Sequence, residues 1–227
     1  MYTVLIADDQ RLFRAIAKSM LQSTTEFQVT CEAADGAEFV FICVGNDDDV
    51  RALVITGSGK MFSAGADISE FGQTPPEGTP HLPSLIDAIE ALDKPVVAAI
   101  HGVALGGGCE VALACHYRVA VPSAKLGLPE VKLGLIPGAA GTQRLPRLVG
   151  AEAALPLVVG GNPIPAKKAE KIGLLDALVG EDSLEADAIA FAKTKIGQPV
   201  PRSSEGQANE DGVRDPDLFD RFRASQA

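Results

Sequence analysis

Three consecutive glycines, Gly106-Gly107-Gly108, stand between an apolar run, Val96–Ile100, and a helical stretch that reaches Ala114. A continuous apolar run is what a parallel strand covered on both faces presents. The helix after it leaves its first N–H groups without intrahelical partners, and its dipole favours negative charge there. Glycine at such a junction lets another group approach the backbone with no Cβ in the way. One reading is close packing of strand on helix. The other is a donor site for an oxyanion, and the residues alone leave both open.

The same alternation runs along the chain and predicts an α/β protein. Val4–Ala7 reads as a strand, Leu12–Leu21 as an amphipathic helix and Phe27–Ala34 as a second strand, closed by Asp35-Gly36. After the solvated break Asp47-Asp48-Asp49, Ala52–Thr56 reads as a strand, and a glycine-rich loop runs from Gly57 to Gly65. Gly72–His81, rich in Pro and Gly, reads as a surface loop. Leu85, Ile86, Ile89 and Leu92 define a helix, and Arg118–Val121 a strand. Helical patterns follow at Thr142–Val149, Glu152–Val159, Pro165–Ile172 and Leu184–Ile196, the last with Ser183 as cap, and Val179 closes a short strand. Beyond Ile196 the run QPVPRSSEGQANEDGVRDPD has linker composition.

Composition narrows the classes of function. Thirty acidic against twenty basic residues give a net charge of −10, which repels phosphate backbones, so no nucleic-acid partner is expected. The longest apolar stretch, near Pro95–Leu105, is broken by His101 and Gly102 and falls short of the roughly 20 residues of a membrane span. The start, MYTVLIADDQ, does not read as a signal peptide. Cys31, Cys43, Cys109 and Cys115 form no CxxC pair, so no metal is expected and the thiols read as buried in a reducing cytoplasm. Gly57-Ser58-Gly59-Lys60 resembles a P-loop only in part. Val54 stands where the motif needs Gly and Met61 where it needs Ser or Thr, so it reads as a turn.

Two further features bear on chemistry. Ser63-Ala64-Gly65-Ala66-Asp67 is a second small-residue loop after a strand, and two such loops can aim two N–H groups at one oxygen. Glu110 lies in the first turn of an otherwise apolar helix, and Glu130 follows Gly127-Leu128-Pro129. Each can be a plain dipole complement or surface carboxylate. Together beside a donor loop they can form an acid/base pair around a water.

FSAGAD at 62–67, HGVALGGGCEVALACHYRVA at 101–120 and KLGLPEVKLGLIPGAAGTQRLPRLVG at 125–150 resemble the crotonase (enoyl-CoA hydratase/isomerase) superfamily. The likeness is nearly continuous from about Asp49 to Ile196, and its details resemble the amino-terminal hydratase module of multifunctional fatty-acid β-oxidation proteins. It implies a ClpP/crotonase ββα superhelix core over residues 47–197. It implies an acyl-CoA substrate, no cofactor, and hydration of a 2-trans-enoyl-CoA to a 3-hydroxyacyl-CoA. The N–H groups of Ala66 and Gly107 would form the oxyanion hole. Glu110 and Glu130 would hold the water, Glu130 delivering the proton to C2. Ala64, Asp67 and Ile68 would line the CoA path, and the Gly138 N–H would orient the water. A homo-oligomer is brought into view, since hydratases of this family are often trimers. GQPVPRSS and DPDLFDRFRA, in the tail 198–227, resemble the linker to a 3-hydroxyacyl-CoA dehydrogenase part. Two alternatives stand beside this reading: a Δ3,Δ2-enoyl-CoA isomerase that shuttles a proton on one glutamate, and an inactive hybrid that keeps the fold and binds CoA.

Residues 1–46 depart from the family. They resemble the first βαβ of a response-regulator receiver domain, with Asp8 and Asp9 as its acidic pair, and the hairpin that opens a crotonase is not expected here. No phosphoacceptor Asp ends Leu53–Thr56, so phosphotransfer is not expected. Ala140 stands where the family has Gly, which predicts strain if the backbone there is left-handed. Pro156 interrupts the pattern of its helix.

Overall fold

The computed structural model describes residues 3–7, 39–46, 49–65, 82–205, 215 and 217–225. Its main sheet has six strands: β1 (Thr3–Ala7), β2 (Phe39–Asn46), β3 (Asp49–Gly57), β4 (Val96–Ile100), β6 (Tyr117–Ala120) and β9 (Ala177–Leu178), in the order β1-β2-β3-β4-β6-β9. β1, β2 and β3 pair antiparallel, and β3, β4, β6 and β9 pair parallel. A smaller sheet joins β5 (Val103–Leu105), β7 (Lys125–Gly127) and β8 (Ile164–Pro165).

The strands that read as continuous apolar runs are buried on both faces, as such runs require. Leu53 and Ile55 of β3, with Val96, Ala98 and Ile100 of β4, join the larger core. Their alternates Ala52, Val54, Val97 and Ala99 join a second cluster. Helix α6 (Leu184–Lys195) supplies Ala188 and Ala192 to that second cluster. On the larger core lie α1 (Leu82–Glu90), α2 (Gly107–Ala114), α3 (Gly141–Val149), α4 (Ala151–Gly160) and α5 (Ala166–Lys171), and α7 (Leu218–Ser225) ends the described chain.

At the amino terminus β1 runs antiparallel to β2, from Thr3 opposite Cys43 to Ala7 opposite Phe39. The expected helix Leu12–Leu21, the strand Phe27–Ala34 and the Asp8-Asp9 pair lie outside the described residues. A hairpin is present after all. β2 pairs with β3 from Phe39 opposite Gly57 to Asn46 opposite Asp49, so the boundary expected at 46/47 falls between two paired strands.

The tail differs as well. Arg202–Ser204 reads as linker, yet Ser203 is buried, donating from Oγ to Glu90 Oε1 at 2.9 Å and to the Leu113 carbonyl at 2.8 Å. The segment is fixed by a carboxylate distant in sequence, which composition cannot register. Two prolines lie inside helices, Pro146 in α3 and Pro156 in α4, each at the sixth residue, so each removes one intrahelical donor without ending its helix. Ser183 stands at the N-cap of α6, but its hydroxyl donates to Asp187 Oδ2 at 2.6 Å instead of accepting from the helix backbone.

Candidate active site

The two small-residue loops are stitched together. The Ser63 N–H donates to the Val103 carbonyl at 3.0 Å, and the Leu105 N–H to the Ser63 carbonyl at 2.9 Å. Ser63 Oγ accepts from the Gly65 N–H at 3.1 Å. Contact this close requires glycine on both sides. A Cβ on Gly108 would lie 2.5 Å from Ser63 Cβ, and one on Gly65, at φ 94°, would lie 2.9 Å from the Leu105 carbonyl oxygen. The packing reading of the triple glycine is therefore true. It also presents Gly107 as the first residue of α2, with an N–H that has no partner inside the helix. Ala64 is exposed on the same loop. Ala66, Asp67 and Ile68, expected at the oxyanion and CoA positions, lie outside the described residues.

Glu110, one turn into α2, is 2% exposed. Its Oε1 accepts two backbone N–H bonds, from Ala139 and Gly141, each 2.8 Å. Those donors point at one oxygen because Ala140 between them is left-handed, at φ 69° and ψ 18°. It is the only non-glycine residue with positive φ among the described residues. The strain expected at this alanine is thus present, and it serves to grip a carboxylate. Burial raises the Glu110 pKa, while the Gly141 and Ala139 N–H groups and the Arg144 guanidinium pull against it. Gly138, assigned to water orientation, is exposed just before this turn.

Glu130 lies in the 3-10 turn Pro129–Leu133. It overhangs the glycine turn: a Cβ on Gly106 would lie 3.4 Å from Glu130 Oε1. Its Oε2 is buried without a hydrogen-bond partner. Burial raises its pKa, and the like charge of Glu110 raises it further. Val131, Leu133, Leu135 and Ile136, which follow it, are exposed apolar side chains. Of the expected site residues, the structure therefore brings Gly107, Glu110 and Glu130 together, with Ala64 on the adjoining loop. Two carboxylates of shifted pKa beside a helix-start N–H with no partner inside its helix are equipped for proton transfer at a polarised carbonyl. Among the described residues, no group of three or more His, Cys, Asp or Glu side chains is placed to hold a metal.

One participant was not foreseen. Arg144 of α3 is 4% exposed, and its Nη2 donates to Glu90 Oε2 at 2.8 Å and to Asp87 Oδ1 at 3.2 Å. Sharing a helical face with Gly141 and Leu148 was too weak a pattern to mark Arg144 as inward-facing.

A fold of this kind, with paired carboxylates at a glycine turn, defines a class of acid/base enzymes working on an activated carbonyl. Residues 31–203 match the family described as Enoyl-CoA hydratase/isomerase, and the chain belongs to that family. It is 52% identical over 155 residues to the peroxisomal bifunctional enzyme of Danio rerio, covering 68% of this chain and 21% of the relative. It is 46% identical over 168 residues to a probable enoyl-CoA hydratase of Bacillus subtilis, covering 72% and 64%. The enoyl-CoA hydratase of Bacillus anthracis superposes with a TM-score of 0.59 at 43% identity, covering 64% of this chain and 58% of that one. The chain thus spans about a fifth of the bifunctional relatives it matches.

Proposed function

We propose that the chain is an enoyl-CoA hydratase of fatty-acid β-oxidation, adding water across a 2-trans-enoyl-CoA to give a 3-hydroxyacyl-CoA. The observation that carries this is the pair Glu110 and Glu130, both buried enough to be shifted upward, at a turn whose first helical N–H has no partner inside its helix. The Gly107 N–H, with that of Ala66, donates to the thioester oxygen as negative charge builds on it, a contribution of about 10²–10³ in rate for each donor. Glu110, its Oε1 held by two N–H bonds, keeps Oε2 outside that grip and takes the proton from water as the oxygen attacks C3. Glu130, dry at Oε2 and pushed toward its neutral form, gives the proton to C2. Each such transfer contributes about 10²–10⁴.

Ala64, Asp67 and Ile68 are assigned to the CoA path and Gly138 to the water. The exposed apolar run after Glu130 suits an acyl chain. No cofactor enters this chemistry, since water and two carboxylates account for every proton. The buried free thiols Cys109 and Cys115 suit a reducing compartment, and the cytoplasm is proposed, while the names of the bifunctional relatives specify the peroxisome. A 3-hydroxyacyl-CoA dehydrogenase part in a longer protein is proposed as the consumer of the product, and the bifunctional and multifunctional names of relatives are in keeping with a second activity. Product analysis on 2-trans-enoyl and 3-enoyl thioesters tests the reading. Hydrated product from the 2-enoyl substrate supports it, and positional exchange without hydration would assign an isomerase instead.

A further inference from the structure

The Ala140 turn that grips Glu110 is strained, because a left-handed alanine costs about 1–2 kcal/mol. Such a conformation persists only where its surroundings over-determine it. From one side it is held by Glu110 itself, through the N–H groups of Ala139 and Gly141. From the other side it is held by Arg144, whose backbone N–H donates to the Ala140 carbonyl at 2.9 Å and whose Nη1 donates to the Ala139 carbonyl at 3.4 Å. Nη2 is committed to Glu90 and Asp87. Glu90 is itself 5% exposed and is completed by Ser203 Oγ and by the Ser204 N–H at 2.7 Å.

We propose that Arg144 is a positioning residue for Glu110, holding the Ala139–Gly141 turn from its carbonyl side, and that Glu90 with the Ser203–Ser204 segment is the anchor that fixes Arg144. A forked guanidinium is required, because one group must reach a carboxylate with one nitrogen and a carbonyl with another. Among the described residues, the charged groups that act on Glu110 are Arg144 from α3 and Glu130 from the 3-10 turn. Asp87 and Glu90 of α1 both pair with Arg144, and Arg118 closes the far end of α2 on the Ala112 and Cys115 carbonyls.

The test compares the wild type, Arg144→Lys, Ala140→Gly and the double variant. Lysine keeps the charge beside Glu90 but not the fork. The first readout is the ¹³C titration of the Glu110 carboxyl, assigned with Glu110→Gln, which works with or without turnover. The second is kcat and KM for crotonyl-CoA. Arg144→Lys is expected to raise the Glu110 midpoint, because the two N–H bonds that favour its ionised form loosen. It should lower kcat by up to about 10²-fold with KM little changed, the scale of a small misplacement. Ala140→Gly in the same chain should restore much of both, since glycine adopts the turn without restraint. A merely structural arginine would not be rescued by relief of strain at residue 140. An unchanged midpoint in Arg144→Lys, or a loss that Ala140→Gly does not reduce, overturns the proposal. The activity readout rests on the hydratase reading. Should the wild type not hydrate, that reading fails alone and the titration still decides the role of Arg144. If Arg144→Lys does not fold, Ser203→Ala probes the anchor from its other end. A rise of the Glu110 midpoint supports the proposal, and no movement overturns it.

Discussion

Glu90→Gln is expected to change how the stability of the protein depends on acid. Burial by itself would raise the Glu90 carboxyl, but the Arg144 guanidinium, the Ser204 N–H and the Ser203 hydroxyl outweigh it and hold the pKa down to about 2, from 4.5. A depressed folded-state pKa contributes stability that is complete above the unfolded value. It is lost as pH falls from about 5 through the folded pKa near 2. By pH 3 the loss from this group amounts to about 2 kcal/mol, which for a chain of this size lowers Tm by roughly 4–8 °C. Glu90 is 5% exposed, so solvent screens it little. The assay is urea unfolding at pH 6 and pH 3 for wild type and Glu90→Gln. The variant is less stable at pH 6, where it has lost a buried ion pair, but its decline toward pH 3 is shallower by about 2 kcal/mol. Parallel declines in the two proteins would refute the assignment, because the carboxylate would then titrate as it does in the unfolded chain.

Ala140→Gly removes about 1–2 kcal/mol of left-handed strain and adds about 0.4–1 kcal/mol of unfolded-state entropy, so thermal unfolding should show an unchanged or slightly higher Tm. Gly108→Ala forces a Cβ to within 2.5 Å of Ser63 Cβ and 2.8 Å of its carbonyl oxygen, and should lower both Tm and turnover as the two loops part. His116 is buried, with Nδ1 accepting from the Val96 N–H at 3.0 Å and Nε2 3.2 Å from the Glu90 carbonyl. Burial lowers its pKa, so its contribution to stability is complete above the unfolded value near 6.5 and fades as pH falls below it. His116→Gln should remove that part of the slope between pH 7 and pH 5, measured by urea unfolding.

What could be read from the sequence followed the strength of local pattern. Val96–Ile100 was bounded as the structure has it, since five apolar residues between Pro95 and His101 leave no choice of face. The strands β5, β7 and β8 have only two or three residues, too few for any period, and exist because each finds a partner strand. Pairing across the chain also sets β1 beside β2, an antiparallel partnership invisible in either strand alone. At the site, Glu110 and Gly107 were legible because a carboxylate and glycines are out of place in a buried turn. Arg144 and Glu90 were not. Each looks like an ordinary helix-surface charge until Ser203, more than a hundred residues beyond Glu90, closes over them.

The central claim is that Glu110 and Glu130 act on opposite ends of one hydration. The most direct test follows the loss of enoyl thioester absorbance of crotonyl-CoA for the wild type, Glu110→Gln and Glu130→Gln, with folding verified for each. The account predicts turnover in the wild type and a loss of about 10²–10⁴ in each variant. Turnover near the wild-type rate in either folded variant, or none in a folded wild type, would contradict it.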